Sequence, residues 1–328
     1  KIDQAVKAFR EALAGDLPGS LRVSVYYELA QTYLKGGKYV EVRETIDELR
    51  GKNIPELKKT FIGQHLLPFL EAKLHLAEGQ TDPEKKQRGL DLMEELWQRG
   101  EFWHILVSAE VKKHMNKENL SGLKPFELWV LADETYLNED YARATDYFEQ
   151  YIQITQATEP RHRQAMFNLA ACYYRLAGQE DTESQRRQEL FRKAANQFLE
   201  VASRFSDSRY AANAAEAYVK VASTIYEDKA TNANLAFYAE ALEWALTEGP
   251  AAAKGGDMRW LYANLLEKQK NYFEAAKQYE QVNQNNEFFY EAKFRAVDCY
   301  RLDLYEKRWM NTSVDRLKSL AETTVEKM

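Results

Sequence analysis

The sequence predicts an all-α protein made of stacked helical hairpins, and three observations predict it. Glycine (14) and proline (7) are scarce for 328 residues, which disfavours the many tight turns of a sandwich or barrel. Hydrophobic residues make up 45% of the chain and aromatic residues 12%, enough for a large or continuous buried core. Paired amphipathic segments with small and aromatic residues at fixed offsets also recur along the chain at a near-constant period.

Residues 1–18 read as the second helix of a hairpin whose first helix is absent, with Ala5, Phe9 and Ala12 in the seam and Pro18 at the end. The sequence is therefore expected to start inside a repeat. Residues 19–58 form a complete unit: Leu29-Ala30, Tyr33, a Gly36-Gly37 turn, Tyr39-x-x-Val42, Ile46, Leu49 and then Pro55. The small Ala30 lets two helices approach, the larger side chains fill the seams, and proline ends the second helix. Residues 59–125 fit the pattern worst. Leu70, Ala72, Leu76, Leu92 and Leu96 still keep helical spacing there, which predicts degenerate hairpins.

From 126 to 311 the pattern returns. Its cleanest copy carries Leu131-Ala132, Tyr136, Tyr141-x-x-Ala144, Phe148 and Tyr151. Met166, Leu169-Ala170 and Tyr173 then mark a first helix, and Phe191-x-x-Ala194, Phe198 and Val201 its partner. An insertion near 178–188, polar throughout its first part, separates the two and is expected to lie exposed, as a longer loop or as extended helix ends. Ala214-Ala215 and Tyr218 begin another hairpin, completed by Leu235, Tyr238 and Leu242. Trp260, Ala263, Leu266, Tyr272-x-x-Ala275, Tyr279 and Val282 make the next, and Phe294, Ala296-Val297 and Tyr300 open one more. Residues 312–328 set Val314, Leu317, Leu320, Ala321 and Val325 on one stripe, which predicts a C-terminal capping helix over the last hairpin.

This spacing resembles the tetratricopeptide repeat, a unit of about 34 residues. The resemblance implies a right-handed α-α superhelix, a solenoid whose first helices line a concave groove where family members hold an extended peptide or a partner's helix. On this register Tyr27, Trp129, Phe167 and Trp260 occupy equivalent positions on four first helices, one place after the seam residue. That step of about 100° turns them toward the groove, whereas a one-residue slip in register would make them core. Asn168 and Asn264 also sit on first helices. The basic residues that accompany such asparagines in the family's C-terminal-carboxylate grip are replaced here by aromatic or neutral ones, which disfavours that mode.

A second resemblance is local. Phe198, then Arg204-Phe205-Ser206-Asp207-Ser208 and Tyr210-Ala211, is similar to the inter-repeat turn of bacterial envelope tetratricopeptide proteins, with Ser206 in place of the turn's usual proline. Those proteins include outer-membrane assembly lipoproteins and cell-division coordinators of the peptidoglycan layer. The likeness implies a bacterial source and an envelope location, and the use of only two cysteines fits the periplasm as well as the cytoplasm.

Composition and motifs bound the function. Acidic residues (51) and basic ones (45) are interspersed, for a net charge of −6, so no nucleic-acid partner is expected. No apolar run reaches the ~18 residues of a membrane span, so no direct membrane insertion is expected. Cys172 and Cys299 each sit in a helical pattern as small seam residues, too far apart to bridge. None of the five histidines, at positions 65, 75, 104, 114 and 162, forms an i, i+4 metal pair around a glutamate. No nucleophile turn or phosphate loop occurs. The expectation is a protein without catalysis, cofactor or metal: a scaffold whose groove holds a protein or peptide. The alternative is a structural assembly or oligomerisation module of a larger protein, of the cell envelope on the second resemblance.

Overall fold

The computed structural model describes residues 1–52, 54–115, 122–182, 184–250, 256–307 and 318–319. All regular structure among the described residues is helical. The chain divides into two compact units, residues 1–134 and 135–328.

The first unit begins with α1 (Ile2–Ala14), α2 (Gly19–Lys35) and α3 (Tyr39–Gly51). A 3-10 turn (Pro55–Lys58) and a π turn (Ile62–Leu66) lead into α4 (Leu67–Glu78), followed by α5 (Pro83–Trp97) and α6 (Glu101–Val111). Helix α7 (Pro125–Leu137) belongs to this unit through Glu134. The second unit holds α8 (Tyr141–Ile154), α9 (Pro160–Gln179), α10 (Gln185–Arg204), α11 (Ala211–Asp228), α12 (Asn232–Thr247), α13 (Gly256–Lys268), α14 (Tyr272–Glu280) and α15 (Phe289–Lys307). The expected capping helix at 312–328 lies outside the described residues, except for Lys318 and Ser319, which are helical and exposed.

Within the second unit the main packing joins chain neighbours in succession, from α8 on α9 to α14 on α15. The cause is the small-residue spacing. Ala144, Ala170, Ala194, Ala215, Ala263, Ala275 and Ala296 are all fully buried, so backbones approach where they meet, and Phe148, Phe198, Tyr218 and Tyr279 fill the seams between them. In the first unit Ala30, Val42, Ile46 and Leu49 do the same for α2 and α3.

One turn recurs three times between a first and a second helix. Gly37, Glu139 and Lys270 adopt left-handed backbone, at φ 70°, 60° and 60°. The amide one residue later bonds the carbonyl five back: Lys38 to Tyr33 at 3.0 Å, Asp140 to Thr135 at 2.9 Å and Asn271 to Leu266 at 2.8 Å. This satisfies carbonyls left open at the end of each first helix. Each second helix then starts on a tyrosine (Tyr39, Tyr141 or Tyr272), which is why the sequence repeats Tyr-x-x-small at these points.

The insertion near 178–188 resolves into extended helix ends rather than a long loop. α9 and α10 are each 20 residues long, and only 180–184 lie between them. Arg187 is not an idle exposed residue there. Its guanidinium pairs with Asp228 of α11 at 2.6 Å and donates to the carbonyls of Ala177 and Glu180 at 3.1 and 3.2 Å, closing the C-terminal end of α9.

The poorly matching stretch of the first unit is helical, but polar pairs and aromatic clusters hold it. Glu127 is fully buried, takes the Lys124 amide at 2.8 Å and meets Lys86 Nζ at 2.8 Å. Glu110, 7% exposed, pairs with Lys113 at 2.8 Å and Lys73 at 3.6 Å. Trp97 stacks on His104 at 4.2 Å, and Trp103 contacts Phe69, Phe102 and His65.

Candidate binding clefts

The six residues placed on first helices by the repeat register are located as follows. Tyr27, Trp129 and Trp260 are buried, at 8%, 2% and 8% exposure. Trp260 stacks on Phe288 at 4.9 Å with planes 6° apart, packs on Tyr279 at 5.3 Å and lies under the Arg295 guanidinium. Phe167 is half-buried between Phe198 and Tyr210. Asn264 is spent inside its own unit: its amide donates to the Trp260 carbonyl at 2.8 Å, and its oxygen accepts from Tyr279 at 2.8 Å. Asn168 is half-buried, without a hydrogen bond from its side chain among the described residues. A partner could stack on the two tryptophans only by displacing what covers them.

The open concave features lie elsewhere, and three of them share one topological place. Each lies between the second helix of one hairpin, the first helix of the next and that hairpin's second helix. In the first unit the cleft is formed by α3, α4 and α5, with a volume of about 630 Å³. In the second unit one is formed by α8, α9 and α10, about 510 Å³, and another by α12, α13 and α14, about 610 Å³.

Their chemistry differs. In the α3–α5 cleft three of the basic groups are held in ion pairs: Arg50 with Glu71 at 2.6 Å, and Arg43 and Lys85 both with Glu78, at 2.7 and 3.2 Å. Burial pushes the Glu71 carboxyl up, against the pull of Arg50. Burial and then Arg88 push His75 down.

The α12–α14 cleft is lined by Glu240, Glu243 and Glu274, with Arg259 turned to the side-chain oxygens of Gln278 and Gln281 at 3.2 and 2.6 Å. Tyr262 faces Glu243, and burial followed by that charge pushes the phenol up. The α8–α10 cleft repeats this arrangement. Tyr173 of α9 donates to Glu149 of α8, and burial followed by the hydrogen bond to Glu149 pushes its phenol up. Glu200 and Arg204, an ion pair at 3.1 Å, form the opposite wall, and His162 lies at one end.

Neither family models nor curated protein sequences match this chain at a significant level. Among the described residues no helix is long and apolar enough to cross a membrane, and no three of His, Cys, Asp and Glu gather as a metal site. Cys172 and Cys299 are both free and buried, their thiols pushed up to about 12 by burial, which removes thiolate reactivity at neutral pH.

Proposed function

We propose that the chain is a non-catalytic scaffold, a solenoid of tetratricopeptide-like hairpins that holds a protein or peptide partner. The observation that carries this reading is the occurrence of an open cleft at three matching topological places, with a different set of polar side chains in each. Such an arrangement suits recognition of a flexible segment by many modest contacts. Packing confined mainly to chain neighbours in the second unit supports the solenoid reading, as do the three matching turns at Gly37, Glu139 and Lys270.

Selection from a random peptide library against the whole chain tests it. The scaffold reading requires peptides that bind one-to-one and saturably, with a shared sequence preference. Selection that yields no enriched motif would count against it.

A second reading, an assembly module, is favoured by one observation. The face of α15 that carries Tyr290, Phe294 and Tyr305 is open, at 84%, 74% and 73% exposure, while Ala292, Ala296, Cys299 and Tyr300 on its opposite face are buried. Residues 290, 294 and 305 fall within about 60° on a helix, and apolar faces of this kind mark association surfaces. Gel filtration over a range of concentrations separates the two readings: a single monomeric peak supports the scaffold alone, and a dimer abolished by Phe294→Ser supports assembly.

A further inference from the structure

Thr155 and His162 define an oriented acceptor in the α8–α10 cleft. The Thr155 hydroxyl has one hydrogen, and it goes to the Tyr151 carbonyl at 2.7 Å. In the 2.9 Å contact between Thr155 Oγ and His162 Nδ1, the ring N–H is therefore the donor. That places the lone pair of the neutral imidazole on Nε2. Burial, and then the charge of Arg204, hold the His162 pKa below its ordinary value, so the neutral form prevails at pH 7.

His162 is only 5% exposed, its Nε2 has no hydrogen-bond partner among the described residues, and the ring lines the cleft. Nε2 is not sealed off, so a donor that enters the cleft can reach it. Other features of the cleft ask for the same kind of occupant. Glu149 accepts from Tyr173 through one oxygen. The cation of the lining, Arg204, is matched by Glu200. Met166 and Leu169 supply an apolar floor.

We propose that this cleft receives a basic side chain, lysine or arginine, of a peptide partner, with its methylene stem on Met166 and Leu169 and its head donating to Glu149 and His162 Nε2. The proposal rests on the scaffold reading and names the chemistry of what is held. A long side chain with an apolar stem and a charged tip fits such a lining, and a hydrogen bond between charged groups is stronger than a neutral one.

The charged groups around His162 are Glu159 and Arg163 at its own end of α9, Glu149 on α8, Glu200 and Arg204 on α10, and Asp207 beyond it, paired with Arg163 at 3.7 Å. Protonation turns Nε2 into a donor and adds a cation. Binding of a basic group is therefore expected to weaken in acid, at a pH below the ordinary histidine pKa of about 6.5.

The test follows the His162 ring by NMR while N-acetyl-arginine methylamide, its lysine counterpart and its neutral citrulline counterpart are titrated into the whole chain. A saturable shift with the two basic probes is expected, with citrulline at least about tenfold weaker. Glu149→Gln keeps an acceptor for Tyr173 but removes the charge, and should weaken the basic probes by about tenfold with melting little changed. Equal binding of citrulline, or no saturable shift at His162, would overturn the assignment. If selected peptides bind while His162 stays silent, the cleft assignment falls and the scaffold reading stands. If His162 responds but no peptide binds, the cleft chemistry is supported while the scaffold reading, and with it a peptide as carrier of the basic group, is overturned.

Discussion

The two units solve the same problem in different ways. In the second, small residues return at almost every expected position, and the seams close on alanine with aromatic fillers. Its polar side chains are left to line clefts. In the first, the spacing lapses after Pro55, where 3-10 and π turns and the additional helix α6 intervene. There charged side chains are drawn into the interior, Glu110 and Glu127 among them, and Arg43, Arg50 and Lys85 of the α3–α5 cleft are held in ion pairs. The contrast is one of degree: Glu149 of the α8–α10 cleft and Glu240 of the α12–α14 cleft form no ion pair among the described residues, whereas Glu71 of the α3–α5 cleft is held by Arg50.

The largest expected effect separates core from contact surface. Trp260→Ala should cost the second unit roughly 3–5 kcal/mol, and Trp129→Ala should cost the first a similar amount, because both side chains are buried. Chemical denaturation of each variant checks this. Unchanged stability with lost partner binding would instead return these tryptophans to the groove that the repeat register predicts.

Acid should loosen the first unit at Glu110. Burial raises the Glu110 carboxyl, but hydrogen bonds from His114 and Lys113 and the charge of Lys73 outweigh it and bring the pKa to about 2. A folded pKa below the unfolded one means that the stabilisation is fully present above about pH 4.3 and is lost as the pH falls toward 2. About 3 kcal/mol is at stake, and Glu110→Gln should flatten this part of the pH profile. Hydrogen exchange over the peptides of residues 67–115 reads it directly.

Next in size is Arg187. Removing it with Arg187→Ala leaves Asp228 unmatched and opens the end of α9, at a cost of about 2 kcal/mol. Limited proteolysis between 180 and 184 should accelerate. A cleavage rate equal to that of the parent protein would show that helix extension alone protects this segment.

The smallest effects come from the turns, and they have opposite signs. Gly37→Ala forces a side chain into left-handed backbone and should cost about 1 kcal/mol. Lys270→Gly removes the same strain and should gain somewhat less, since glycine also loosens the unfolded chain. Equal melting temperatures for both variants would contradict a shared turn geometry.

Helix pairing was legible wherever one residue type does one job. Ala144, Ala170 and Ala263 had to be small, Tyr141 and Tyr272 begin second helices, and the two cysteines are seam residues. The first unit was less legible because charge pairs such as Lys86 with Glu127 join residues far apart in sequence and follow no helical period. The clefts were hidden for the same reason. The bond from Tyr173 to Glu149 spans 24 positions, and nothing in the spacing of Thr155 and His162 distinguishes a buried, oriented ring from an exposed one. The predicted aromatic ladder depended on a single step of 100°, and Tyr27, Trp129 and Trp260 lie on the interior side of it. Phe198 and Tyr210, at the edges of the turn resembling bacterial envelope proteins, flank Phe167 and complete a local aromatic cluster.

The central claim, that clefts between successive hairpins hold a partner segment, is tested most directly by hydrogen exchange of the whole chain with and without a library-selected peptide. Protection is expected at the helices that border the α8–α10 and α12–α14 clefts, and less at the α3–α5 cleft, where Arg43, Arg50 and Lys85 are held in ion pairs. Protection confined to α15, or spread evenly over both units, would contradict the account.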